Sequence, residues 1–151
     1  MIAVIQRVKG ASVTVKEQVV GRCGMGYAVL LGVANGDTEK DAEVLATKLS
    51  KLRIFEDENQ KMNLSPENVG GEILIISNFT LYGNTVRGFR PDFMNAMMPQ
   101  RAEEMYLKFI ELCKNYPYKK IQTGKFGADM KVDVSNDGPV NIFIETESVR
   151  K

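Results

Sequence analysis

Two almost unbroken apolar runs constrain the fold of this chain most: Tyr27 to Val33, and Ile73 to Ile76 within the segment Glu72 to Leu81. A strand with one wet face alternates apolar and polar residues. A run without alternation has no face to give to water, so both runs read as central strands covered on two sides. The other strand-like stretches are more polar. Ile2 to Val8 alternates loosely and ends at Lys9-Gly10, and Ala11 to Val15 has period two. Val19 to Arg22 reads as a short strand, and Lys120 to Thr123, Met130 to Val134 and Val140 to Glu145 as three more. Asp37-Thr38 can cap a helix with the face Ala42, Leu45, Leu49 and Leu52. Pro99 opens a second, with the face Ala102, Met105, Tyr106, Phe109, Ile110 and Cys113, stopping near Asn115. Residues 56–71 and 83–91 read as loops, and Pro91 to Ala96 as a helical turn. The expected fold is α/β, a single compact domain over residues 1–151. Its mixed β-sheet is large, curled and barrel-like, with two main helices packed on one side.

The chain has no histidine among its 151 residues. A Ser-His-Asp or Cys-His nucleophile and a His-based zinc site are therefore excluded. Cys23 and Cys113 are too few for a Cys-only metal site, so no metal and no cofactor is expected. Their separation also argues against a disulfide framework and for a reducing compartment. Arg7 and Lys9 interrupt the first apolar residues, so the start does not read as a signal peptide. No stretch reaches the ~20 apolar residues of a membrane span. A cytoplasmic location is expected. The net charge of +1 argues against broad field-driven nucleic-acid binding, but leaves room for a local basic patch.

Three segments can carry chemistry. In Ser77-Asn78-Phe79-Thr80 polarity appears abruptly at the end of a buried strand, where ligand sites of α/β sheets gather. Backbone N–H groups there can hold an oxyanion if strand pairing stops. An ordinary strand with a wet face is the plainer reading. Asn136-Asp-Gly-Pro-Val-Asn141 reads as a tight turn between two strands, and an ordinary hairpin explains it. Pro139 is its odd member, since it removes a donor where a strand should begin. A cis Gly-Pro bond would turn two neighbouring carbonyls the same way. Gly124-Lys-Phe-Gly-Ala128 lacks the P-loop pattern and fits a bend beside a ligand or a bulge. Met94, Met97, Met98 and Met105 suit core filling or an apolar wall rather than a metal site. Among Arg53, Lys61, Arg87, Arg90, Lys119, Lys120 and Lys125, most read as solvated surface.

Taken together, these residues resemble the D-aminoacyl-tRNA deacylase (D-tyrosyl-tRNA deacylase) family, nearly end to end. The resemblance runs through Met1-Ile-Ala-Val-Ile-Gln-Arg-Val8, Leu52-Arg-Ile-Phe55, Lys61-Met-Asn63, Ser77-Asn-Phe-Thr-Leu-Tyr82, Gly88-Phe-Arg-Pro91 and Asn136-Asp-Gly-Pro-Val140. The family signatures are Ser-Gln-Phe-Thr and Asn-x-Gly-Pro-Val-Thr, so Asn78 stands for Gln and Asn141 for Thr.

The resemblance implies hydrolysis of the ester of D-aminoacyl-tRNA, and of mischarged glycyl-tRNA, by a homodimer acting on the aminoacylated 3′ end of tRNA. It implies that Ser77, Asn78, Phe79 and Thr80 line one wall of the site. Each subunit's cis Gly138-Pro139 would enter the other subunit's pocket, hold the α-amino group and exclude an L side chain. Phe89, Ala96 and Met130 would lie near the aminoacyl group, and Arg7 would support the partner's Gly-Pro loop. Backbone N–H groups would stabilise the oxyanion. Thr80 as nucleophile ranks second, because no base is in view. A catalytically weak protein that binds the tRNA acceptor end is the rival, and a plain structural dimer a third reading.

Overall fold

A computed structural model describes residues 1–149. Eight strands and two long helices run in the order β1 (Ile2–Val15), β2 (Gln18–Cys23), β3 (Gly26–Gly32), α1 (Glu39–Lys51), β4 (Phe55–Glu56), β5 (Met62–Leu64), α2 (Pro66–Val69), β6 (Glu72–Ser77), α3 (Pro99–Cys113), β7 (Ile121–Thr123), β8 (Lys131–Glu145) and α4 (Thr146–Val149), α2 and α4 being single turns. The expected α/β fold is present, with its curled mixed sheet and helices on one side. The main sheet has the order β2-β1-β3-β6-β7, and β8 also pairs with β1. β3, β6 and β7 are parallel, whereas β1 runs antiparallel to β2, β3 and β8.

The two apolar runs became β3 and β6, and both faces are indeed buried. Tyr27, Val29, Leu31, Ile73 and Ile75 face α1 and α3, where they meet Leu45, Leu49, Tyr106 and Phe109. Ala28, Leu74 and Ile76 point the other way, into the curl, against Val8, Val13 and Cys23. Curling brings β2 round to β7. A Cβ on Gly21 would sit 2.1 Å from the carbonyl oxygen of Thr123, so only glycine allows the sheet to close this tightly. Tyr27 and Tyr106 reach the interior because their hydroxyls donate to the carbonyls of Leu52 and Ile75, each at 2.9 Å. Helix α1 starts with a capping box in which Thr38 and Asp41 satisfy each other's exposed donors.

Several sequence expectations change. β1 does not end at Lys9-Gly10. It bends there through register shifts, which let one strand pair with β3 along its first half and β2 along its second. Residues 56–71 are not a plain loop, for β4, β5 and α2 occupy them. Asp57 folds the β4–β5 connection by accepting the N–H groups of Asn59 and Lys61, and this lowers its pKa. Residues 91–96 form no helix: one hydrogen-bonded turn, Ala96 N–H to Phe93 O at 3.0 Å, lies beside isolated bridges that join Asp92 to Asn84 and Ala96 to Ala34. The expected hairpin at residues 136–141 is absent too. β8 is one 15-residue strand that bulges there, and its Gly138–Pro139 peptide is cis.

Gly21→Ala should destabilise the fold by about 2–3 kcal/mol in urea titration, because backbone rather than a movable side chain blocks the added carbon. Stability should also fall in alkali. Burial pushes the Cys23 and Cys113 thiols up to about 11 and about 12. Free thiols ionise near ~8.5, so above that pH the unfolded chain releases protons that the folded chain keeps. The urea midpoint, read under reducing conditions, should hold below that window and decline as pH rises through it.

Candidate functional site

The site forms where β6 leaves the sheet. Asn78 N–H still donates to Leu31 O at 2.7 Å, after which the chain turns into a short 3-10 turn at Phe79–Tyr82. In such a turn the first N–H groups, those of Phe79 and Thr80, have no acceptor within the turn. The Asn78 side chain does not cap them. It is held instead by the Thr80 hydroxyl, which donates to Asn78 Oδ1 at 2.5 Å. Polarity at the end of this strand thus marks a change of backbone, which the alternation pattern alone does not reveal.

A cleft of about 700 Å³ opens beside this turn. Ser77, Asn78, Phe79 and Thr80 line one wall. A second wall is the segment from Phe93 to Pro99, pinned along the end of β3 by Met97 N–H to Val33 O and Asn35 N–H to Asn95 O, both 2.9 Å. Ala96, Met97 and Met98 come from it. Phe79 is more than half exposed, and its ring stands edge-on to Phe93 at 5.1 Å. Phe126 to Met130 close a third side. Of the Gly124 to Ala128 bend, Phe126, Gly127 and Ala128 therefore belong to the cleft. Met130 Sδ accepts the Lys125 N–H there, and a Cβ on Gly124 would collide with it at 2.7 Å.

The lining is mostly apolar and offers few titratable groups. Burial raises the Tyr106 hydroxyl to about 12, and its proton is committed to Ile75 O. Asp129 stands exposed at the rim. The Thr80 proton points at an amide oxygen, which is not a base at neutral pH. What the cleft presents is shape, apolar walls and main-chain donors. Among the described residues no cluster of metal-ligating side chains occurs.

Of the residues singled out from sequence, Ser77, Asn78, Phe79, Thr80, Ala96 and Met130 come together here. Phe89 does not: it lies in the loop after Gly83, fully exposed, and is not in the lining. Gly138 and Pro139 also lie outside it, exposed on β8. Arg7, expected to support a partner's loop, grips its own chain's. Its buried guanidinium donates to Asp137 O at 3.1 Å and to Ile54 O at 2.7 Å, and lies 3.5 Å from the Asp137 carboxylate and 3.6 Å from that of Glu56. Phe93 and Tyr106 were not singled out as site residues, because apolar residues lining a cleft look like core in sequence; Met97 and Met98 of the methionine run do form wall.

The profile of the family described as D-Tyr-tRNA(Tyr) deacylase matches residues 4–145. A D-aminoacyl-tRNA deacylase of Fusobacterium nucleatum is 52% identical over 147 residues, covering 97% of both chains. The chain belongs to the D-Tyr-tRNA(Tyr) deacylase family. A D-aminoacyl-tRNA deacylase of Persephonella marina is 50% identical, covering 99% of this chain and 100% of that one. Among solved structures, the fold matches "c-Myc DNA Unwinding Element Binding Protein" with a TM-score of 0.90 at 44% identity, covering 96% and 98% of the two chains. It also matches "a probable eukaryotic D-amino acid tRNA deacylase" with a TM-score of 0.82 at 16% identity, covering 95% and 97%. That second likeness speaks for the fold.

Because Arg7 satisfies two carbonyls at once, Arg7→Lys should be costly even though charge is kept. A lysine has no planar fork to reach both acceptors. A loss of about 1–3 kcal/mol is expected from the denaturant midpoint.

Proposed function

We propose that this chain hydrolyses the ester joining a D-amino acid to the 3′ end of tRNA, and the same ester of mischarged glycine, as quality control for translation in the cytoplasm. The observation that carries the reading is the pair of N–H groups at Phe79 and Thr80, left without an acceptor by the 3-10 turn among the described residues, on the wall of an apolar cleft in a member of this family. An aminoacyl ester is already activated, so water needs positioning and charge stabilisation more than a strong base. Water attacks the ester carbonyl, whose oxygen becomes an oxyanion facing the two N–H groups. The bond to the ribose 3′ oxygen then breaks, that oxygen takes up a proton, and the free D-amino acid leaves. The neighbouring 2′-hydroxyl of the terminal adenosine can relay the proton, which suits a chain without histidine.

Chiral choice is assigned to a second copy of the chain. Gly138 and Pro139 lie outside the lining of their own cleft, and among the described residues β8 is paired on one edge only, with β1. An edge of 15 residues bearing an exposed Phe143 favours a partner. In the proposed homodimer each Gly138-Pro139 bend enters the other subunit's cleft and offers carbonyls to the substrate ammonium. An L side chain would collide with the bend. No metal takes part.

Deacylation of D-Tyr-, L-Tyr- and Gly-tRNA tests this reading. Cleavage of the D and glycine esters with the L ester spared supports it, whereas binding of tRNA without turnover supports the weak acceptor-end binder. Thr80→Val keeps the backbone N–H and removes the hydroxyl. It should lower kcat by about tenfold at most, the scale of one neutral hydrogen bond. Abolished turnover in a folded dimer would instead make Thr80 the nucleophile.

A further inference from the structure

The Gly138-Pro139 bend is closed at its neck by a pair of amides. Along β8 the ladder jumps from Gln6↔Asn141 to Val8↔Asn136, so Asp137 to Val140 bulge out opposite Arg7 alone. Ladder bonds lost in a bulge have to be replaced. Arg7 replaces them from below by taking Asp137 O. Asn136 replaces them across the neck. Its Oδ1 accepts the Val140 N–H at 3.0 Å, and its Nδ2 donates to Asn141 Oδ1 at 2.6 Å. Since the Asn136 oxygen is committed to a backbone donor, its nitrogen must face Asn141, and only an acceptor there completes the pair.

The bend has little slack. Gly138 has φ +129°, and a Cβ on it would lie 2.7 Å from Val140 Cγ2 and 2.9 Å from Val140 N. The tip therefore packs on its own neck. Widening the neck moves the carbonyls at the tip, and misplacement of about 1 Å at a reacting centre can cost on the order of a hundredfold. Among the described residues the Asn141 side chain takes part in no other hydrogen bond. Asn141 is exposed, so this hydrogen bond is the contact its amide has to lose.

We propose that Asn141, acting through Asn136, is a positioning residue that sets the opening of the Gly138-Pro139 bend, and with it the rejection of L-aminoacyl esters. This rests on the function proposed above. It predicts a split between stability and selectivity that a mere strand residue would not give.

The experiment compares wild type, Asn141→Leu, Asn141→Ala and Asn141→Asp. Leucine keeps much of the shape without an acceptor, alanine removes both, and aspartate keeps the acceptor. kcat and KM are measured on D-Tyr-tRNA and L-Tyr-tRNA, well below each variant's unfolding midpoint. The ratio of L to D kcat/KM should rise about tenfold in the leucine and alanine variants, mainly through faster L cleavage. Aspartate should restore the ratio to within about twofold of wild type. A selective wild type whose leucine and alanine variants are equally selective overturns the inference alone, as does failure of aspartate to rescue. A wild type that cleaves neither ester overturns the proposed function, and the inference with it.

Discussion

β1 is the strand on which the architecture turns. Its first half is hydrogen-bonded to β3 on one side and β8 on the other, and its second half exchanges β3 for β2. This is possible because the strand bends at residues 9–10 rather than stopping. The bend curls the sheet, the curl brings Gly21 against Thr123, and the interior of the curl becomes a second small core. Arg7 sits on this strand where Asp137 to Val140 of β8 bulge away from it. A single buried cation thereby ties the loop after α1, through Ile54, to the bulge of β8, through Asp137. Such a charge is tolerable indoors because two carbonyls and two carboxylates surround it.

The cleft follows from the same sheet. β3 and β6 are parallel, so both end on the same side, and their ends supply Leu31, Val33 and residues 76–80. Parallel pairing ends where Asn78 makes the last bond to Leu31. Beyond it the backbone has donors left over and an apolar wall opposite. The polar atoms of the site are thus a by-product of terminating a buried strand.

Much of this was legible in the sequence, for identifiable reasons. The runs at 27–33 and 73–76 announced two-faced burial, and the helical faces behind Thr38 and Pro99 announced α1 and α3. Turns were harder. Lys9-Gly10 and Asn136 to Asn141 use the residues that end strands, yet both are bulges inside longer ones. Gly and Asn permit a bulge as readily as a hairpin, and only the pairing partner decides. The wall residues Phe93, Met97 and Tyr106 carry no signal that separates a cleft from a core. Phe89, by contrast, matched a motif but stands in solvent within this chain. Arg7 could be picked out by resemblance, while its actual grip on its own Asp137 depended on register.

The unpaired amides at 79 and 80 have a consequence for how such a protein can diverge. They belong to the main chain, so no codon specifies them and no point substitution other than proline deletes them. Their aim depends on where β6 stops, which many different side chains can satisfy. A solved structure only 16% identical still shares the fold, with a TM-score of 0.82. The Asn78 side chain does not cap the amides at 79 and 80, so a different side chain there leaves the two donors in place. Geometry held by the main chain in this way is tied to backbone shape rather than to residue identity.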